Sequence, residues 1–130
     1  MRTGLLIVAA LALVGFIAVA FVLPRMAAAE AKQAAQALVA GAEPAQRQVA
    51  AAAEKAGNLA GSGREVKIAA RVDPKYGELK WLVSEGGAVR AWNERNAIEV
   101  TLTPQLQSGK AAWTCRGHPV NAMPVSCGGR

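Results

Sequence analysis

The stretch Ile98-Glu-Val-Thr-Leu-Thr-Pro-Gln-Leu-Gln-Ser-Gly-Lys-Ala-Ala-Trp-Thr-Cys115 decides the fold. Ile98, Val100 and Leu102 alternate with Glu99, Thr101 and Thr103, the period of a half-buried strand. Ser108-Gly109 is a turn pair, and Lys110 to Cys115, carrying Trp113, returns as the next strand, so the two run antiparallel. Working back, Ala88 to Trp92 reads as a third strand. Glu78 to Val83 reads as a second, with Leu79, Trp81 and Val83 on one face and Gly86-Gly87 closing it. Farther back still, Val66, Ile68, Ala70 and Val72 alternate with Glu65, Lys67, Ala69 and Arg71, a first strand ended by Asp73-Pro74. The short turns predict an antiparallel meander whose one apolar face needs a cover.

Met26 to Ala56 supplies a candidate cover. Alanines alternate there with Glu30, Lys32, Gln33, Gln36, Gln46, Arg47, Gln48, Glu54 and Lys55 in a helical idiom. Larger apolar residues are few, chiefly Leu38, Val39 and Val49. Such a helix packs through small residues, either on its own sheet or on neighbouring copies; a soluble alanine-rich spacer is the alternative. Pro24 and Pro44 each remove a backbone hydrogen bond and predict bends. Gly57-Asn58 and Gly61-Ser62-Gly63 predict the stop.

Ahead of this helix lies an uncharged apolar run from Leu5 to Leu23. Its larger members are Leu5, Leu6, Ile7, Val8, Leu11, Leu13, Val14, Phe16, Ile17, Val19, Phe21, Val22 and Leu23. At ~1.5 Å per residue a helix of this length covers roughly 28 Å, about one hydrocarbon core. A cleaved secretory signal is the rival reading, with Arg2 as a basic start and Ala27-Ala28-Ala29 before Glu30 as the cleavage region. The length of the run and the intervening Pro24-Arg25 favour a retained anchor. Arg2 opposes Arg25 and Lys32, so charge alone orients the chain weakly.

The chain carries a net charge of +6, with its basic residues spread out. That excludes the dense Lys/Arg block of a dedicated nucleic-acid arm. There is one histidine, no nucleophile motif, and no Lys-Ser/Thr after Gly61-Ser62-Gly63 to make a phosphate loop. No enzyme activity, catalytic residue, metal or cofactor is expected. Cys115 and Cys127 are expected to pair in an oxidising compartment, closing Arg116 to Ser126 into a loop worth about 3 kcal/mol. Free thiols, or a metal held by Cys115, His118 and Cys127, are the alternatives. Trp81 and Trp113 sit on apolar strand faces and read as core. Trp92, with Arg90, Arg95 and Arg116, is the candidate surface for DNA phosphates or a host surface.

The strings Ile98-Glu-Val-Thr-Leu-Thr-Pro104, Ala112-Trp-Thr-Cys115 and Met123-Pro-Val-Ser-Cys127, behind a hydrophobic N-terminal helix, resemble those of type IV pilins. In that family "TLTP" and "WTC" strands precede a proline and a final cysteine, and two prolines bend the helix as Pro24 and Pro44 would here. The resemblance implies an α+β fold, with a long kinked N-terminal helix packed on a four- or five-stranded antiparallel sheet and a C-terminal disulfide loop. Residues 1–4 would be a leader-like segment, 5–23 the transmembrane and filament-core half of the helix, 24–57 its extramembrane half, and 64–130 the sheet head.

The implied role is a structural subunit of a bacterial type IV pilus or related filament, serving adhesion, twitching motility or DNA uptake. Its partners would be other pilin subunits, the inner-membrane assembly machinery and, before assembly, the lipid bilayer. The family also implies alternatives: a DNA-binding minor pilin, a secretion pseudopilin, or a membrane-anchored periplasmic domain that does not polymerise. A pseudopilin often uses calcium where this chain has its cysteine pair. In one place the chain departs from the family. Mature pilins begin Phe-Thr-Leu-Ile-Glu after a leader ending in glycine; aligning the prolines puts that glutamate at Ile7 and the first mature residue near Thr3, with Gly4 two positions late. Without that carboxylate, an amino terminus buried among apolar helices has no partner there and is costly.

Overall fold

The computed structural model describes residues 2–129; the side chains of residue 2 and of residues 17–25 lie outside the description. A single helix, α1, runs Arg2–Ala56, 55 residues and roughly 80 Å at the standard rise. It passes through Pro44, which sits on its exposed side. At its end Gly57 takes a left-handed φ of 77°, and its N–H donates to the Ala53 carbonyl at 2.8 Å. Glycine adopts that conformation without the Cβ penalty, so the stop falls where the sequence predicts it.

Five strands follow: β1 Arg71–Asp73, β2 Gly77–Val83, β3 Val89–Asn93, β4 Ile98–Gln107 and β5 Lys110–His118. They pair in chain order, every neighbour antiparallel, as one five-stranded sheet. The fold is therefore α+β. Ser108 and Gly109 both have positive φ, 53° and 79°, so the β4–β5 turn has the twist that suits a two-residue hairpin. β4 continues through Pro104 to Gln107, four residues past the predicted end. The sheet tolerates this proline because β3 pairs with β4 only as far as Leu102, leaving Pro104 a neighbour on one side alone.

One face of the sheet is covered by the second half of α1. Ala34, Ala35, Leu38, Ala42, Ala45, Val49 and Ala53 are buried along one stripe of the helix, against Leu79, Trp81, Val89, Ala91, Ile98, Val100 and Leu102. The alanines let the helix lie close to the sheet, and Trp81 fills the space their short side chains leave. The Trp81 indole N–H donates to the Leu38 carbonyl at 2.9 Å. Its ring lies against Gly41, where a Cβ would overlap Cζ2 and come within 2.9 Å of Cε2. Of the two surfaces proposed for the small residues, their own sheet is the one this stripe covers.

Among the described residues, Asn93 is the one large polar side chain fully inside this core. Its amide donates to the carbonyls of Tyr76 (2.8 Å) and Glu78 (2.9 Å), and its oxygen accepts from the Asn96 backbone (3.1 Å) and side chain (2.8 Å). With its hydrogen-bonding groups matched, burial costs little and ties the β3–β4 turn to the start of β2.

The first predicted strand is corrected. Only Arg71–Asp73 pairs, and the register sets Arg71 opposite Leu79 and Val72 opposite Glu78. Arg71 therefore shares the helix-side face, its guanidinium 5.6 Å from the Trp81 ring, while Val72 points outward, 77 % exposed. The cause is the turn after it: the Asp73 carboxylate accepts the N–H groups of Lys75 (2.8 Å) and Tyr76 (3.2 Å), fixing the register from that end. Val66 and Ile68 still reach the core, from irregular chain, because the Val66 N–H closes a turn onto Gly63 at 3.2 Å.

Cys115 and Cys127 are joined, with Cα atoms 4.4 Å apart. The loop between them carries a cis His118-Pro119 bond and two short 3-10 turns, Val120–Ala122 and Val125–Cys127. Ala122, Met123 and Cys127 turn inward and complete the core beside β5.

Candidate functional site

Among the described residues, two surfaces are left without a partner inside the chain. The first is the stem of α1. Leu5, Leu6, Ile7 and Val8 are 76, 68, 56 and 67 % exposed. Successive helical residues step by about 100°, so four in a row point to every side of the helix. Leu11, Leu13, Val14, Phe16 and Met26 are likewise exposed. A helix apolar all round is the kind that is stable when surrounded by lipid or by other helices. Ile17, Val19, Phe21, Val22, Leu23 and Pro24 lie outside the described side chains. Among the described residues no helix is long and apolar enough to cross a membrane; the run Leu5 to Leu23 read as a span includes residues beyond that description.

The second surface is the face of the sheet turned away from α1. Strand alternation puts Glu78, Lys80 and Leu82 of β2, Arg90 and Trp92 of β3, Glu99, Thr101, Thr103 and Gln105 of β4, and Thr114, Arg116 and His118 of β5 on this side. Arg90, Trp92 and Arg116 are thus brought together as a group. Arg95 is not: it sits in the β3–β4 turn, donating to the Lys75 carbonyl at 3.3 Å and packing over Gly77. Trp92 is half-buried, with the Arg90 guanidinium 5.5 Å from its ring.

The charges on this face are largely paired. Arg90 Nε donates to Glu99 Oε1 at 2.6 Å, and Lys80 Nζ lies 3.2 Å from Glu94 and 3.8 Å from Glu78. These partners raise the pKa of both bases above their ordinary values, led for Arg90 by the Glu99 hydrogen bond and for Lys80 by that to Glu94. Arg116 makes no ion pair among the described residues. The alternation in the sequence sets Glu99, Thr101 and Thr103 opposite Ile98, Val100 and Leu102, but it does not group them with Arg90, Trp92 and Arg116; the sheet register does.

The hydrogen bond from Arg90 holds the Glu99 carboxyl below its usual value, against a desolvation that pushes the other way; the charges of Arg90 and His118 add to the lowering. A carboxyl depressed in the folded state stabilises the fold above its unfolded value, and that contribution disappears as pH falls through the folded value. Wild type and Glu99→Gln should therefore differ slightly in urea midpoint at neutral pH and converge from about pH 5 downward. The difference stays small because the pair is solvent-exposed. A gap that widens on acidification would contradict the pairing.

The cysteines are joined to each other, so the three-ligand arrangement with His118 has no thiolate to offer. Among the described residues no group of three or more His, Cys, Asp or Glu is placed to hold a metal ion. Comparisons with known proteins find no family model, no curated protein and no solved structure that matches the chain.

Proposed function

We propose that the chain is a structural subunit of a type IV pilus or a related extracellular filament, held in the bacterial inner membrane before assembly. The observation that carries this reading is the stem: one helix has its second half embedded in a small head, and its first turns, Leu5 to Phe16, are apolar and exposed, with nothing among the described residues to cover them. In lipid such a stem is stable alone; in a filament it is stable against the stems of other subunits, packed through van der Waals contact. Residues 5–23 would do the anchoring and assembly, while bends at Pro24 and Pro44 would steer the stem past its neighbours. The work is assembly by the inner-membrane machinery, with adhesion, twitching motility or DNA uptake as its use. The disulfide between β5 and the final 3-10 turn fits export to an oxidising compartment.

A second reading is favoured by Ile7. An apolar residue there gives a neighbour's amino terminus no carboxylate, which suits an anchored periplasmic domain that never polymerises. A DNA-binding role has less support, since Arg90 and Lys80 already face carboxylates.

Intact-mass spectrometry of sheared surface filaments and of membranes separates these. A filament species trimmed near Thr3 to Leu5, N-methylated, and lighter by the two hydrogens of the Cys115–Cys127 bond is the expected result. Full-length protein confined to membranes would establish the anchored domain, and a start at Glu30 would make the apolar run a signal peptide.

A further inference from the structure

On the outer face of the sheet, Thr101, Thr103 and Gln105 of β4 and Thr114 and Arg116 of β5 line a depression of about 300 Å³. Thr101 lies directly opposite Arg116, and Thr103 opposite Thr114. Side chains on one face repeat every ~7 Å along a strand and stand ~5 Å apart across a pair, so these four outline a patch about as large as one pyranose ring. Its floor offers three hydroxyls and an amide, each able to donate and accept, beside one guanidinium. None of these side chains is held by a hydrogen bond or ion pair within the described residues, whereas the neighbouring Arg90 and Lys80 are.

We infer that this depression is a binding site for an acidic sugar unit, the Arg116 guanidinium taking the carboxylate and the Thr101, Thr103 and Thr114 hydroxyls with the Gln105 amide taking ring hydroxyls. The charge pattern selects this class over nucleic acid. A polyanion crossing the face needs a closely spaced track of available cations, but next to Arg116 it meets Glu99 with its arginine already engaged, and Lys110, the other cation of β5 on this face, lies six residues and roughly 20 Å along the strand. A single carboxylate needs one cation, and a fork-shaped donor set suits it. The remaining polar groups match a ligand rich in hydroxyls. The site lies on the face of the sheet away from α1, and its failure would leave the reading as a filament subunit untouched.

The test is titration of the full-length protein in detergent micelles with glucuronate, glucose, acetate and a short DNA duplex, followed by backbone amide NMR shifts. Saturable shifts confined to residues around Thr101, Thr103, Thr114 and Arg116 are expected with glucuronate, at millimolar affinity as suits a sugar on a shallow site. Glucose and acetate, each lacking half of the recognised chemistry, should bind more weakly. Arg116→Gln should weaken glucuronate binding about tenfold or more, the worth of one charge-assisted contact. Thr114→Val, with its exposed hydroxyl removed, should weaken glucuronate and glucose alike. No saturable shift, equal shifts with acetate, or shifts with DNA and none with glucuronate would each overturn the assignment.

Discussion

Replacing Trp81 with alanine should lower the stability of the head by about 3–5 kcal/mol, the range for truncating a buried aromatic. Trp81 is 8 % exposed and is the largest side chain between helix and sheet. The alanine stripe around it has no bulk with which to refill the cavity. The change also removes the donor to the Leu38 carbonyl. Trp81→Phe keeps much of the ring and loses the hydrogen bond, so it should cost less than the alanine variant. Gly41→Ala tests the same niche from the other side, because a methyl there collides with the ring and forces the helix away. Urea unfolding of the full chain in detergent, read from the fluorescence of Trp92 and Trp113, measures all three. If Trp81→Ala shifts the stability by less than about 1 kcal/mol, the ring is not what fastens helix to sheet.

Breaking the Cys115–Cys127 bond should cost about 3 kcal/mol in the chain-entropy account for a loop of this length. The bond does more than shorten the unfolded chain. Inside the loop, Met123 closes the core over Gly117, where a Cβ would lie 2.7 Å from the Glu99 carbonyl and overlap the Met123 sulfur. Released, the segment from Pro119 onward should detach, exposing Met123 and the end of β5. The paired substitution Cys115→Ala with Cys127→Ala, set beside reduction of the wild type, reads the loop's contribution without placing a polar group in the buried Cys127 site. Hydrogen exchange should quicken at Ala122 and Met123 in both. Unchanged melting after reduction would remove the bridge from the list of what holds the head together.

The strands from Glu78 onward were legible because each combines alternating side chains with a nearby turn pair, and the two signals agree. At Ser108-Gly109 the turn chemistry alone sets the hairpin. Glu65 to Val72 misled because its alternation was real but its register was not local: Asp73 sets the pairing from the turn, and a shift of one residue sends Val72 outward. The extension of β4 past Pro104 depends on where β3 ends, which no reading of β4 by itself contains. The stem was legible as an apolar run, and its all-round character is already in the string from Leu5 to Val8. By contrast, the pairing of Arg90 with Glu99 joins residues on different strands, and only the sheet register makes it visible. The niche of Gly41 for Trp81 is of the same kind, a match between two surfaces forty residues apart in the chain.

The continuity of α1 has a mechanical consequence. Tension applied along the stem enters the head parallel to the helix axis, so it loads the alanine stripe in shear, with all its contacts sharing the force at once. Pulling a strand from the edge of a sheet concentrates force on one pair at a time; sliding this helix requires the Trp81 ring to ride out of its niche while every other contact along the stripe also slips. The head is thus built to resist being drawn lengthwise by its own stem.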